Sequence, residues 1–391
     1  MREVTATNKL FKDRTVLRVI GLSDIAAEWT PELHLLVRVC TKTELSTLHQ
    51  LAEAGISNTA ALTCDVGLYQ ESIFPSILEK EASLQHGDVI AVMPQHNAIQ
   101  VLIRESDMHH TVFLTNRCNS NCLMCSQPPT SHDDSWLIDE AVAVATHMRV
   151  SPRTIGFTGG EPLLLGAELR RVLDTFSRFH PGVQIDVLTN GRLLADADLA
   201  HGLLAGMAHP VTWMVPLYGH ADFLHDFVVQ APGAFDQTIG GLLALRSFGQ
   251  QIQLRIVLIE PVLRILPYLC AFIGRNLPFV KEVALMGCEP TGFALANQDI
   301  CKVDVHEWQE SLLDAVNCLR RARIPVVLMN LPLCAIDPKL WPFAHQSISD
   351  WKRTFDPECD GCAVKENCSG LFASHRKGWH PAKIVALRET M

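Results

Sequence analysis

The sequence has little that would indicate a secreted or membrane protein. Thirteen cysteines in 391 residues, about 3%, are far fewer than in disulfide-stabilised secreted domains, and an odd number cannot pair completely. The most apolar long stretch, residues 254–274, contains charged residues and two prolines, so it does not predict a membrane span. The first fifteen residues are charged and lack the apolar segment of a signal peptide. We therefore expect a cytoplasmic protein with reduced thiols, in which clustered cysteines indicate metal binding or catalysis.

Positive charge is also scarce. The chain has 33 Lys and Arg residues against 42 Asp and Glu residues, which gives a formal net charge of −9. This balance is the opposite of the basic surface with which proteins bind nucleic acid. We expect neither nucleic acid nor a membrane as a partner. The length predicts two or three domains.

Three regions differ in their sequence pattern. Residues 1–108 predict a small mixed α/β domain that carries no catalytic motif and ends in a hairpin turning at residues 94–97. Residues 109–300 contain six β-branched runs, spaced by roughly thirty to forty residues, as successive β-α units require. These runs are residues 111–117, 154–160, 183–191, 212–219, 252–260 and 281–290. We expect an open or partial barrel, in which chemistry gathers at the carboxyl ends of the strands.

Residues 301–391 form the third region, which has few regular signals. One apolar strand is predicted to end at Cys334, and three closely spaced cysteines follow. A segment of this kind usually needs a metal or cluster to stabilise it.

Three cysteines lie in one short loop after the first run. Cys118, Cys122 and Cys125 have the spacing C-x3-C-x2-C. Three thiolates can bind a four-iron cluster and leave one iron open to an external ligand. The alternatives are a zinc knuckle, for which His132 is the nearest further ligand, or three buried thiols of the core. The position after a predicted barrel strand favours the iron–sulfur interpretation.

The second run ends in the motif GGEP, residues 159–162. The cysteine loop followed by this motif resembles the radical S-adenosylmethionine (SAM) superfamily, whose members fold as a partial (β/α)6 barrel. The resemblance implies that the three cysteines bind a catalytic [4Fe-4S] cluster, with the methionyl part of SAM on the open iron. It also implies that Gly159 and Gly160 let the backbone approach the methionyl amine and that Glu161 adds a nearby acceptor.

Three further positions carry over from the resemblance. Thr189 and Asn190 match the motif that lies near the cofactor's ribose, and Arg255 would reach the cofactor carboxylate as a bidentate donor. The alternative for Arg255 is an arginine at the edge of the sheet. Two positions depart from the superfamily pattern: Met124 replaces a usual aromatic residue, and Pro216 lies where relatives often have a ribose-binding serine.

A second group of cysteines lies in the third region. Cys359, Cys362 and Cys368 have the spacing C-x2-C-x5-C, and Cys334 lies upstream. Four thiolates would saturate a [4Fe-4S] cluster or a zinc ion. In a chain that already needs cluster assembly we favour an auxiliary [4Fe-4S] cluster, although Cys334 could instead be a core thiol. The six other cysteines are interpreted as packing residues, with Cys288 as a candidate to face the pocket, and are at positions 40, 64, 270, 288, 301 and 318.

Residues 225 and 226, His-Asp, follow the fourth run and are interpreted as a satisfied surface pair. They point toward the expected substrate entrance, because they come soon after the carboxyl end of a predicted strand.

Nearly the whole chain resembles one group within the superfamily. The stretches FLTNRCNSNCLMCSQPP, NLPLCAIDPKLWPFAHQSISDWK and CDGCAVKENCSGLFAS resemble the HxsC-type maturases of His-Xaa-Ser peptide systems. The resemblance implies an oxidoreductase that cleaves SAM to a 5′-deoxyadenosyl radical and modifies a ribosomally made peptide with His-Xaa-Ser repeats. It further implies an external electron donor and a second radical maturase as a candidate partner. The alternatives are a radical SAM oxidoreductase acting on a small molecule or another protein, and a non-enzymatic zinc-binding scaffold.

Overall fold

The computed structural model describes residues 2–94, 98–107, 110–207, 209–349, 352–377 and 379–388. The chain divides into two compact units, which are described separately. The first unit comprises residues 1–112, 135–155 and 171–183, and the second comprises residues 113–134, 156–170 and 184–391. The predicted three-part division at residues 108 and 300 stays a prediction.

Seven strands of the first unit form a closed barrel in the order β1-β5-β4-β3-β2-β6-β7. Strands β2 to β5 pair in parallel, whereas β1, β6 and β7 pair with their neighbours antiparallel. The strands are β1 Arg2–Lys9, β2 Thr15–Gly21, β3 Leu35–Arg38, β4 Thr59–Thr63, β5 Ser76–Glu79, β6 Val89–Met93 and β7 Ala98–Ile103. The predicted hairpin is formed by β6 and β7, and its turn residues 95–97 lie outside the described residues.

Both faces of the barrel wall are buried. Successive side chains of a strand point to opposite faces, so one set fills the inside of the barrel and the other packs on its outside. On β3, Leu36 packs inside the barrel, while Leu35 and Val37 pack outward against Leu45 and Leu48. The latter two belong to the helix Lys42–Glu53. A mixed barrel with a helical outer layer therefore accounts for the apolar runs of the N-terminal region.

An open sheet of eight strands follows, in the order β15-β14-β13-β12-β11-β10-β9-β8. The pairings from β10 through β15 are parallel. The strands are β8 His110–Phe113, β9 Thr154–Thr158, β10 Gln184–Leu188, β11 Val211–Pro216, β12 Gln251–Leu258, β13 Glu282–Gly287, β14 Val326–Met329 and β15 Ala344–His345. Strands of parallel sheets are covered on both faces, and Trp213 at the centre of β11 is accordingly fully buried.

The six predicted runs correspond to β8 through β13, which confirms an α/β fold with an open, parallel sheet. The sheet is longer than the predicted six strands, because β14 and β15 continue it in parallel. The strand predicted to end at Cys334 ends at Met329 instead, and Cys334 lies in a turn of 3₁₀ helix, Leu333–Ala335. Two prolines, Pro325 and Pro332, bracket the strand and its exit and limit its length.

Helices connect the strands, and 3₁₀ turns occur at many strand exits. The α-helices are α1 Ile25–Glu28, α2 Lys42–Glu53, α3 Val66–Glu71, α4 Trp136–His147, α5 Ala167–Phe179, α6 Ala197–Leu204, α7 Asp222–Val229, α8 Ala234–Ser247, α9 Glu260–Leu263, α10 Leu266–Asn276, α11 Phe293–Ala296, α12 Gln298–Cys301 and α13 Gln309–Arg321. The 3₁₀ segments are Leu22–Asp24, Pro162–Leu165, Arg192–Ala195, Val305–Trp308, Leu333–Ala335, Pro338–Phe343, Pro357–Cys359, Lys365–Asn367 and Ala373–Lys377. A small antiparallel pair, β16 Arg353–Thr354 and β17 Leu371–Phe372, lies in the C-terminal region. Within the part of the chain that the structure describes, none of these helices has the length and apolar character to cross a membrane.

Candidate active site

The first cysteine loop leaves the carboxyl end of β8, and backbone hydrogen bonds fasten it on two sides. The amides of Asn121 and Leu123 donate to the carbonyls of Val229 (3.1 Å) and Val228 (3.0 Å) at the end of α7. The carbonyl of Cys125 accepts from the amide of Phe293 at 2.8 Å. These backbone hydrogen bonds therefore hold the loop in place on both sides.

The three thiols of this loop are close enough to interact electrostatically. Burial raises the pKa of Cys118 to about 11 and that of Cys122 to about 12, and it also raises the pKa of Cys125. The neighbouring thiols raise the first two pKa values further, since several negative charges in one buried loop repel each other. Such a set of soft sulfur donors favours a cation that replaces the protons. The residues present therefore fit an iron–sulfur cluster.

The glycines of the GGEP motif lie against the backbone that leads into the cysteine loop. The amide of Gly160 donates to the carbonyl of Thr115 (2.7 Å), and the amide of Glu161 donates to the carbonyl of Arg117 (2.8 Å). A Cβ atom at Gly159 or Gly160 would lie within 3.0 Å of the Thr115 or Arg117 carbonyl oxygen. Close approach of two backbone segments thus explains both glycines. The predicted approach of a cofactor amine to them stays a prediction.

Glu161 is completely buried and connects the exits of β9 and β10. Its carboxylate accepts hydrogen bonds from the Thr189 hydroxyl (2.5 Å), the Asn190 amide (2.7 Å) and the Leu163 amide (2.8 Å). Burial raises the pKa of Glu161, while these three donors favour its ionised form. The resemblance implies a cofactor acceptor here. In the structure the carboxylate already accepts from three protein donors, and it positions the residues that follow β10.

The residues after β10 in turn bind the cysteine loop. The Asn190 side-chain amide donates to Asn119 Oδ1 at 2.6 Å. Arg192 donates to the carbonyl of Asn119 (2.5 Å) and to Ser120 Oγ (2.9 Å). Our sequence reasoning missed Arg192. Its position directly after the predicted strand exit was the available signal.

Arg255 extends from β12 and is only partly exposed. Its Nε atom is buried and has no hydrogen-bond partner among the described residues, and its other contact is a weak one to Met329 Sδ at 3.9 Å. Burial lowers the pKa of Arg255, whereas the nearby Tyr218 and Asp186 raise it. A guanidinium with an unused buried donor suits an anionic ligand such as a carboxylate.

Tyr218 is a second residue that the sequence reasoning missed. It follows β11 at the sheet's carboxyl edge and is 6% exposed. Burial raises its pKa well above the ordinary value, and interactions with Cys122 and Cys288 raise it further. The phenol therefore stays neutral, between the first cysteine loop and the end of β13.

His225 is buried, so its interpretation as part of a surface pair is wrong. Its Nδ1 atom accepts from the amide of Tyr218 at 3.2 Å, and its Nε2 atom lies 3.5 Å from Thr238 Oγ1. Burial lowers the pKa of His225 to about 4. Asp226 instead accepts from the amides of Gly233 (2.6 Å) and Phe235 (2.8 Å) at the start of α8. Neutral His225 thus supports the backbone of Tyr218.

The second group of cysteines meets around one small cavity of about 20 Å³. Cys334, Cys359, Cys362 and Cys368 all line it, together with apolar residues of the C-terminal region. Cys368 Sγ also accepts from the amides of Leu333 (3.3 Å) and Gly370 (3.4 Å), a contact that stabilises thiolates. Burial and the other three thiols raise the pKa of Cys334. The structure therefore brings the separated Cys334 to the other three, and the set of sulfur donors fits a cluster with four protein ligands.

Across the described residues, no group of three or more His, Cys, Asp or Glu side chains has the spacing to bind a metal ion by itself. A four-iron cluster takes its thiolates at separate corners of a cube.

Residues 112–262 match the family described as the radical SAM superfamily. Over 141 residues the chain is 33% identical to a curated protein of Methanocella arvoryzae named "Probable GTP 3',8-cyclase", and the match covers 35% of this chain. The match covers 43% of that relative's length.

Solved structures give weaker similarities. The native anSMEcpe with bound AdoMet has a TM-score of 0.48 and 14% identity, over 71% of this chain and 92% of that one. A radical SAM methyltransferase from Sphaerobacter thermophilus has a TM-score of 0.43 and 16% identity, over 62% of this chain and 73% of that one.

The glycine contacts lead to a first prediction. Gly160→Ala should lower the free energy of unfolding by about 1–3 kcal/mol and reduce iron loading, because the new methyl group displaces the Arg117 carbonyl. The matched control is Gly202→Ala on α6, where no atom lies near the added methyl group; it should stabilise by about 0.5–1 kcal/mol. Chemical unfolding and iron analysis check both variants. Equal stability and iron content would contradict the steric argument.

His225 predicts a dependence of stability on pH. Its folded-state pKa of about 4 lies below the unfolded value, so the unfolded chain binds a proton first and stability falls as the pH drops from about 6.5 to 4. His225→Gln should flatten the plot of unfolding free energy against pH in this window, by up to about 1.4 kcal/mol per pH unit. Urea unfolding at a series of pH values measures it. His201→Gln, at an exposed helical position, controls for the loss of an imidazole, and an unchanged slope in H225Q would refute the assignment.

Proposed function

We propose that the protein is a radical SAM peptide maturase, because its residues 112–262 match the radical SAM superfamily. Its substrate would be a ribosomally made peptide with His-Xaa-Ser repeats. The observation that carries the radical part is the loop with three partly buried thiols at the carboxyl edge of a parallel sheet. Arg255, whose buried Nε atom has no partner among the described residues, lies nearby across Tyr218. The resemblance of the cysteine-containing segments to HxsC-type maturases supports the peptide class.

Cys118, Cys122 and Cys125 would bind a [4Fe-4S] cluster that, when present, supplies the electron for cleavage of SAM to methionine and a 5′-deoxyadenosyl radical. The protein's own contribution is positioning. Glu161 fixes the exit of β10, and Arg192 fastens the cysteine loop to that exit. The loop is thereby held in one geometry before any ligand binds, which reduces the reorganisation that the reaction needs.

Arg255 and Tyr218 would bind and enclose the cofactor's charged end. The free Nε donor of Arg255 suits the carboxylate of SAM, and neutral Tyr218 adds a hydroxyl that can donate without bringing a negative charge beside the thiolates. Thr189 and Asn190 already donate to Glu161, so their predicted contacts with the ribose would use the acceptor oxygens of these two side chains.

Cys334, Cys359, Cys362 and Cys368 would bind an auxiliary [4Fe-4S] cluster. All four corners of such a cluster would have protein ligands, so it would accept an electron or stabilise the C-terminal region rather than bind substrate. Zinc is the alternative that the sequence leaves open for these thiols, but no group of such side chains among the described residues is placed to bind a single metal ion.

The similarity to a GTP 3',8-cyclase supports a second candidate, a radical SAM enzyme that acts on a small molecule such as a nucleotide. The third candidate is a zinc-binding scaffold without activity. An external reductant and a second radical maturase are the proposed partners of the peptide-modifying enzyme, and the cytoplasm is its proposed location.

SAM cleavage tests the radical function. After anaerobic reconstitution with iron and sulfide, dithionite and SAM should yield 5′-deoxyadenosine, and Cys118→Ser should abolish the product because one corner of the cluster is lost. Arg255→Met should raise the KM for SAM more than it lowers kcat, since it removes a binding contact. Cys40→Ser, exposed in the barrel unit, is the control. Cleavage that survives Cys118→Ser would contradict the assignment.

A mass change in a His-Xaa-Ser peptide, but not in GTP, separates the peptide candidate from the nucleotide candidate.

Iron content tests the auxiliary site. The chain should bind about eight iron atoms, and Cys334→Ser or Cys362→Ser should reduce this to about four while the thiols of the first loop keep theirs. The Cys40→Ser protein should match the parent chain. Zinc in place of the second four irons would establish the alternative occupant, and an unchanged count in Cys334→Ser would remove Cys334 from the ligand set.

A further inference from the structure

Asp134 is a buried carboxylate that lies outside every motif of the sequence. It follows the three cysteines of the first loop and precedes α4, and it is 3% exposed. A carboxylate in such surroundings is strongly unfavourable unless several donors surround it. Its donors therefore identify the part of the chain that depends on it.

Among the described residues, the donors to Asp134 come from residues 115–117, which form the entry segment immediately before Cys118. The Thr115 hydroxyl lies 3.1 Å from Oδ2 and 3.3 Å from Oδ1. Asn116 donates to Oδ2 twice, from its backbone amide and from its side-chain amide at 3.3 Å. Arg117 Nε lies 3.5 Å from Oδ1, but this side chain is 47% exposed, so water weakens the ion pair. The hydrogen bonds therefore contribute more than the ion pair.

The backbone of the entry segment is held from two sides. The carbonyls of Thr115 and Arg117 accept from amides of the GGEP motif, and the carbonyl of Asn116 accepts from the amide of Thr130 at 3.0 Å. The Arg117 amide donates to the Thr115 hydroxyl at 3.1 Å, and this hydroxyl in turn donates to Asp134. Asp134 thus fixes two amides of the segment, that of Asn116 directly and that of Arg117 through Thr115.

The entry segment leads directly into the first proposed cluster ligand. Arg117 and Cys118 are neighbours in the chain, so the peptide planes that Asp134 fixes determine the direction in which the Cys118 thiol leaves the backbone. Metal sites depend on such supporting hydrogen bonds, because ligands must be held within about 0.5 Å of the productive geometry. The glycine turn fixes the carbonyls of this segment, and Asp134 fixes the amides.

We propose that Asp134 is a positioning residue for the catalytic cluster. Its carboxylate holds the amides of the entry segment so that the Cys118 thiolate points toward the sulfur donors of Cys122 and Cys125. It acts through the backbone and not by contact with SAM or substrate. The effect on SAM cleavage rests on the proposed function, whereas the effect on the loop does not.

Hydrogen–deuterium exchange of the anaerobically reconstituted full chain tests the effect on the loop. Asp134→Asn keeps the size of the side chain but replaces one acceptor oxygen by an NH2 group, so at least one donor of the entry segment loses its partner. Amides of residues 115–125 should exchange about tenfold faster, the factor expected for loss of a hydrogen bond to a charged group. Asp65 likewise accepts from a backbone amide, that of Leu68 at 2.9 Å, so Asp65→Asn is the matched control and should speed exchange in α3 only.

Thr115 supplies a second pair of variants. Thr115→Val removes the hydroxyl that connects Asp134 to the Arg117 amide, whereas Thr115→Ser keeps it. Only the valine variant should show the faster exchange of residues 115–125. These variants also decide the question if Asp134→Asn does not fold, because valine has nearly the shape of threonine.

SAM cleavage tests the positioning role. Asp134→Asn should lower kcat by about 10–100-fold, the usual effect of removing an outer partner of a metal ligand. It should change the KM for SAM much less, since it removes no contact to the cofactor. The auxiliary site should keep about four iron atoms per chain. A general loss of structure would instead lower the iron content of both sites.

Parent-like exchange of residues 115–125 in Asp134→Asn would overturn the proposal. Faster exchange with an unchanged kcat would overturn the positioning role, as would equal behaviour of Thr115→Val and Thr115→Ser. Faster exchange throughout the chain would assign Asp134 to general stability and equally overturn it. If the parent chain yields no 5′-deoxyadenosine, the proposed function fails, and exchange of the entry segment still decides whether Asp134 holds the loop.

Discussion

The close approach of two backbone segments underlies the candidate site. The Gly159-Gly160 turn after β9 lies directly on the chain that enters the cysteine loop after β8, and amides of the turn donate to carbonyls of that chain. Only residues without a side chain permit this distance. Glu161 follows at once, and its buried carboxylate brings in the exit of β10. The segments that follow β8, β9 and β10 are thereby held together by hydrogen bonds, and the cysteine loop is part of this surface.

The electrostatics of this surface favour a cationic occupant. Partly buried thiols resist ionisation, as the raised pKa values of Cys118 and Cys122 indicate, and the neutral Tyr218 adds no compensating charge. Arg255 has a buried donor without a partner among the described residues. An iron–sulfur cluster with an anionic ligand would satisfy both needs, because the cluster replaces the thiol protons and the carboxylate accepts from the guanidinium.

Much of this arrangement was accessible from sequence, because its signals are local. The spacing of Cys118, Cys122 and Cys125, the glycine pair and the recurrence of β-branched runs each lie within a few residues and predict their own element. β14 was predicted as a strand but not as part of this sheet, because the pairing of two strands is not a local signal. β15 was missed because a strand of two residues leaves almost no periodic pattern. The burial of His225 was missed for another reason: a helix of eight residues does not reveal which of its faces meets the sheet.

The sequence by itself determined which residue types are present for chemistry and in which order the strands carry them. Only the tertiary structure decided what those residues contact. Cys334 joins the other cysteines of its group across a large gap in sequence, and Glu161 engages the next strand exit rather than standing free as an acceptor. The physical reason is that a hydrogen bond or a thiol contact depends on distances of a few ångströms between separate elements, and packing of the whole unit sets those distances.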